Sequence, residues 1–234
     1  QDLPEPGPVH RQRARQRRIG AQQRFEADAR GFIGQEATHR RIHTLFNNHL
    51  EQQGLRNLWA LSIEKQRKLF VGQDPRHALA VTAANEHFTA MLAEWLLSHP
   101  EVLQGSEERL QTLWLWHSAE EAEHKNTAFD LYAALGGNHH WRLVWFRRTT
   151  LAFLVDVTRQ VLSNLHRDGS LYRPSTWASA WRTLFGPAGL VRHIWRPWWA
   201  YRRRDFHPNQ QASNLSAQWL EHNRHRFTPV GETG

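Results

Sequence analysis

The chain has 234 residues, 40% of them hydrophobic, and a formal charge of +8, which suffices for one large domain or one domain with an appended layer. It contains no cysteine, which excludes disulfides, thiolate metal sites and cysteine nucleophiles, so any metal must be held by nitrogen and oxygen ligands. The charge is unevenly divided: residues 1–24 carry 6 Arg against 2 acids, residues 25–140 carry 10 Lys and Arg against 15 acids, and residues 141–234 carry 14 Arg against 5 acids.

In chain order, residues 1–24 are rich in Arg and Gln and have no apolar run, which argues against a secretory signal. They read as a basic arm, disordered or atypical. With the absence of cysteine, this makes the cytoplasm the expected compartment, with a peripheral position at the inner membrane face as a variant. From residue 25 to about residue 165 the apolar residues recur with helical period. A first helix over 25–51 ends near Gly54, and a second over 55–71 ends at Gly72. Asp74-Pro75 opens a third over 76–98, which stops before Pro100. Ser106-Glu-Glu-Arg begins a long helix that ends at Gly136-Gly137, and a further helix spans 141–167. After Gly169, short Trp-rich helices alternate with Pro and Gly breaks. No Asn-Gly hairpin joins alternating apolar runs. The expected fold is all-α, a ferritin-like bundle over 25–140 with a Trp- and Arg-rich helical layer over 141–234 packed on it.

Three of these helices have apolar stripes broken at the centre by ligand-type residues. Steps of three and four along the first give Phe25, Ala29, Phe32, Glu36, His39, His43, Phe46 and Leu50. The helix after Ser106 gives Leu110, Trp114, His117, Glu121, His124, Ala128, Leu131 and Leu135. The helix over 76–98 places Glu86 midway between Ala83 and Ala90. Charged groups rarely occupy such positions unless paired or metal-bound, because burying a lone carboxylate is costly. In Glu-x-x-His the side chains at i and i+3 project together, and two such helices plus single Glu residues from two others form the carboxylate-bridged dimetal pattern of ferritin-like bundles. Glu36–His39 and Glu121–His124 supply the pairs, and Glu86 supplies one single carboxylate. His43 and His117 are either ligands or their hydrogen-bonding partners. Glu120 competes with Glu121, and both are candidate catalytic carboxylates. His87 follows Glu86 but points about 100° away, so it reads as a packed histidine. Tyr132, two turns past His124, reads as packed as well.

The blocks Phe32-Ile-Gly-Gln-Glu-Ala-Thr-His39, Thr82-Ala-Ala-Asn-Glu-His-Phe-Thr-Ala90 and Leu115-Trp-His-Ser-Ala-Glu-Glu-Ala-Glu-His-Lys125 resemble those of a bacterial family, the predicted metal-dependent hydrolases. Gly169 to Thr176, Leu184-Phe-Gly and Phe206-His-Pro208 are similar too, so the resemblance covers about residues 25–220. It implies a ferritin-like helical metalloprotein. The family's members usually begin with an apolar helix that carries a Glu, whereas Pro4 to Arg15 is polar here, with Glu5 set among Pro4, Pro6 and Pro8. Replacement of that helix would remove one ligand.

Three functions fit these residues. In a hydrolase, the metal acidifies water and polarises the scissile group while a spare carboxylate acts as base. In an oxidase or oxygenase, two iron or manganese ions activate O₂. A protein that only binds metal, or that associates with membranes, is the third. The expected cofactor is a divalent metal, two Fe or Mn ions with Zn as the alternative, and the expected substrate is a small molecule or a lipid. Leu143–Leu165 is apolar but interrupted by Arg147, Arg148, Asp156 and Arg159, so no stretch reaches the ~18–20 residues of a membrane span. The Trp and Arg residues beyond it suit either a layer packed on the bundle or docking on an anionic membrane. No nucleic-acid-binding module is recognised.

Overall fold

A computed structural model describes the backbone of residues 8–211 and 213–226, and the side chains of 26–226 except 28, 123, 124 and 212. The described residues are helical, with no strand among them, so the chain is all-α. It divides into two compact units, residues 1–45 and 46–234.

The first unit holds most of α1, Pro8–Gln52. The basic segment read as an arm is helical from Pro8 onward, and its side chains up to residue 25 lie outside the described residues. The helix turns Thr38 back onto the Gly34 carbonyl (3.3 Å) and pairs Arg30 with Glu26 at 3.6 Å.

The second unit is organised around α3, Pro75–Ser98. Local chemistry sets both ends of this helix: the Asp74 carboxylate accepts from the Arg76 amide at 2.9 Å, Pro75 occupies the first turn, and Pro100 follows the last. Between these ends α3 is buried nearly all round, and α4 (Glu108–His124), α5 (Thr127–Ala134), α6 (His139–Arg167), α8 (Leu190–Ala200) and α9 (Leu215–His222) pack against it. Five of its ten buried residues are alanines, which lets the neighbouring backbones approach closely. α2 (Trp59–Leu69) lies on α6, and α7 (Pro174–Phe185) packs on α8. The core stacks Phe88 between Phe146 and Phe153, with ring centroids at 5.5 and 5.3 Å, and Phe146 on Tyr201 at 4.2 Å. These rings convert burial of aromatic surface into most of the cohesion between α3, α6 and the turn after α8.

Within this unit the expected boundaries move most at α2 and in the long helix after Ser106. α2 begins at Trp59 rather than at 55, because the Asn57 side chain accepts from the amides of Trp59 and Ala60, both at 3.1 Å, and so caps the helix there. The long helix expected from Ser106 to Gly136 starts at Glu108 and is broken at Lys125-Asn126 into α4 and α5. Both break residues keep right-handed helical backbone angles, so the hydrogen-bond ladder lapses without a change of direction into another conformation. At that point Lys125 is buried and its ammonium donates to the Gln211 carbonyl at 2.9 Å, a tie from outside the helix.

Candidate metal centre

α4 sets His117 and Glu121 one turn apart on its inner side, with Nε2 3.6 Å from Oε1. α3 supplies Glu86 from the face that also carries Ala83, Ala90 and Ala93, all buried. On α4 the residues flanking this position are equally small, Ala119 and Ala122, so the two helices come close enough to bring the carboxylate oxygens of Glu86 and Glu121 within 4.8 Å of each other. Each of the two glutamates is only 8% exposed. Two carboxylates this close and this shielded repel one another unless a cation or a proton stands between them. The Trp114 and Trp116 rings lie 5.9 and 6.5 Å from the His117 imidazole, whose side chain is 15% exposed.

This donor set fits a divalent metal. Glu121 lies within reach of both the Glu86 carboxylate and the His117 imidazole, and these oxygen and nitrogen donors suit iron, manganese or zinc without selecting among them. Glu120 sits beside Glu121, half-buried, and projects about 100° away from it along the helix. His124 ends α4, and its side chain lies outside the described residues. Glu36, His39 and His43 belong to the first unit. α1 holds them along one side, and Glu36 Oε1 lies 3.6 Å from His39 Nδ1.

The neighbouring ionisable groups are accounted for by packing. His87 is buried, its ring 4.8 Å from that of Tyr201 and 5.4 Å from that of Phe206, and its Nε2–H donates to the Pro197 carbonyl at 3.1 Å. Burial, with the charges of Lys125 and Arg142 adding to it, pushes the imidazole down to about 4. His87 is thus the packed histidine that its position off the ligand stripe suggests. Tyr132 is buried and its hydroxyl donates to the Asn138 carbonyl at 2.8 Å. His207 bonds Asp130 at 2.8 Å, and His139 bonds the Arg202 carbonyl at 3.1 Å.

One pair near the centre escaped sequence reading. Lys125, one turn past Glu121, lies 3.9 Å from Glu94 of α3, and burial pulls its ammonium below the usual lysine range. The spacing Glu121 to Lys125 marks Lys125 as inward-facing, but nothing in either helix alone pairs it with Glu94.

No curated protein and no solved structure matches the chain. The family resemblance extends further toward the N-terminus than the three ligand blocks suggest and stops somewhat earlier at the other end. The family model described as predicted metal-dependent hydrolase matches residues 7–212, a span that includes Glu36, Glu86, His117 and Glu121, and the chain belongs to that family.

Proposed function

We propose that the chain is a metal-dependent hydrolase in which Glu86, His117 and Glu121 hold a divalent metal; Glu36, His39 and His43 of the first unit, and His124, are the further candidate ligands that the sequence pattern supplies. The observation that carries this reading is the buried pair Glu86 and Glu121, with His117 alongside, whose mutual repulsion a bound cation would relieve. The second unit contributes the three residues just named. The sequence pattern argues for the others, since Glu36, His39 and His43 interrupt an apolar stripe in the same way. A bound metal would acidify water and polarise a scissile carbonyl or phosphoryl group. The chain's own residues then divide the remaining work. Glu120 takes up a proton at its carboxylate, and His117, beside the Trp114 and Trp116 rings, is oriented by Glu121.

A second reading rests on the carboxylate-rich character of the same centre. Paired carboxylates such as Glu86 and Glu121 would suit two iron or manganese ions and an O₂-dependent oxidation. Metal analysis of chain purified without chelator, with E86Q and E121Q beside it, tests both readings. The expected result is about one to two ions per chain, lost in either variant while circular dichroism stays helical. Ester or phosphoester hydrolysis restored by added metal supports the first reading, and O₂ consumption with a reductant supports the second. Metal content unchanged in both variants would overturn the placement of the site.

A further inference from the structure

α7 has no buried residue, although Trp177, Trp181, Leu184 and Phe185 recur at helical spacing along it. Trp181 is 67% exposed, and its ring lies tilted at 4.6 Å from that of Phe185, itself exposed. α8 divides its aromatic residues between two sides. Ile194 and Trp198 pack on the core, while Trp195 and Trp199, 57% and 51% exposed, sit on an outward face with Arg192 and Arg196. Trp198 Nε1 reaches Thr150 of α6 at 3.3 Å, and α6 presents Leu151, Leu154, Val155 and Leu162, all exposed, at steps of one and two turns.

Charge identifies what covers these apolar residues. Residues 169–204 contain seven arginines and no Asp or Glu, and of the seven Arg203 is paired with Asp205 at 2.6 Å. Arg202 lies over the Trp199 ring at 4.1 Å, an arrangement that holds a cation beside an indole at a boundary between polar and apolar media. A second copy of the chain meeting this surface symmetrically would set Arg against Arg. Nucleic acid would satisfy the arginines and stack on the indoles, yet it would leave Leu184 and Phe185 of α7 uncovered. An anionic bilayer surface satisfies both, with headgroups for Arg and the acyl boundary for Trp, Phe and Leu. None of the described helices is long and apolar enough to cross a membrane, so the contact lies in the plane of the interface.

We propose that α7 and α8 form a peripheral docking surface for anionic lipid. Sedimentation of the full chain with phosphatidylcholine vesicles, with and without phosphatidylserine, tests it. The chain is expected to sediment with phosphatidylserine vesicles and to be released by salt. R192Q/R196Q should weaken partitioning about 25-fold, at roughly fivefold for each arginine, and W195S/W199S should lower it further without loss of helical circular dichroism. Failure to sediment, or sedimentation undiminished in R192Q/R196Q, would overturn the proposal. A dimer abolished by W195S/W199S in the absence of vesicle binding would assign the surface to a second copy, and binding of a single-stranded oligonucleotide in place of vesicles would assign it to nucleic acid. None of these outcomes depends on the metal centre.

Discussion

Arg142 is a buried cation with no carboxylate partner among the described contacts, and replacing it with Met shows what holds the turn after α8 in place. Its guanidinium, 5% exposed, donates to the carbonyls of Arg203 at 2.5 Å and Phe206 at 3.5 Å and lies 5.1 to 5.8 Å from the rings of Phe129, Tyr201 and Phe206. Arg142→Met keeps most of the stem packing and loses the charge. The shorter hydrogen bond contributes about 2 kcal/mol, the longer one little, and the ring contacts about 1 to 2 kcal/mol. Against this stands the desolvation of the guanidinium, which is strong enough to pull its ionisation below the usual arginine range and which Met would recover in part. The Arg203 carbonyl remains in place and loses its donor, so the balance stays unfavourable, at roughly 3 kcal/mol. Urea unfolding followed by circular dichroism measures it, and Arg142→Lys, which keeps the charge and whose ammonium lacks the planar fork of guanidinium, should fall between the two. A variant Arg142→Met within about 0.5 kcal/mol of the parent would show that desolvation cancels the hydrogen bond and refute the reasoning.

His87 gives a pH signature. Its folded imidazole is pushed down to about 4 from the ordinary 6.5, so between those values the unfolded chain binds a proton that the folded chain does not. Stability should therefore fall as pH drops from 6.5 to 4, by about 3 kcal/mol in all, and the slope should disappear in H87Q, whose amide can still donate to Pro197. An identical slope in H87Q would assign the acid sensitivity to other groups. Gly34 is a helical glycine with nothing within 4 Å of the position a Cβ would take among the described residues. Gly34→Ala should raise stability by about 0.5 to 1 kcal/mol, read as a higher thermal midpoint, and a lower midpoint would show that the position must stay bare.

The elements that sequence places well are those whose ends are local. Asp74 and Pro75 start α3 and Pro100 stops it, each acting on its own backbone. The Asn138 side chain likewise accepts from the Trp141 amide at 2.9 Å to start α6. The break between α4 and α5 is different, for neither Lys125 nor Asn126 carries a mark of its own. Its correlate is a bond from Lys125 to Gln211, far away in the chain, and such a contact has no period to be read from. Asn57 is a local mark as well, but it lies inside the segment 55–71 that periodicity assigns to α2, so the apolar pattern masks the cap.

The candidate site divides along the same line. Glu86, His117 and Glu121 are legible because each interrupts an apolar stripe, and a stripe is a property of one helix. His87 shows why a residue off the stripe can still be packed. It lies off the stripe, and a helix with one buried face would expose it, but α3 is covered from several directions and buries His87 as deeply as the residues of the stripe. A helix at the centre of a fold thus loses the contrast between inside and outside on which periodicity depends. There, the better guide to a ligand is what surrounds it: Glu86, on the face of Ala83, Ala90 and Ala93, lies within 4.8 Å of a second buried carboxylate, that of Glu121, whereas His87 is met by a carbonyl and aromatic rings that satisfy it. That difference in company, which sequence shows only as alanine spacing, separates the residue suited to a cation from the one suited to the core.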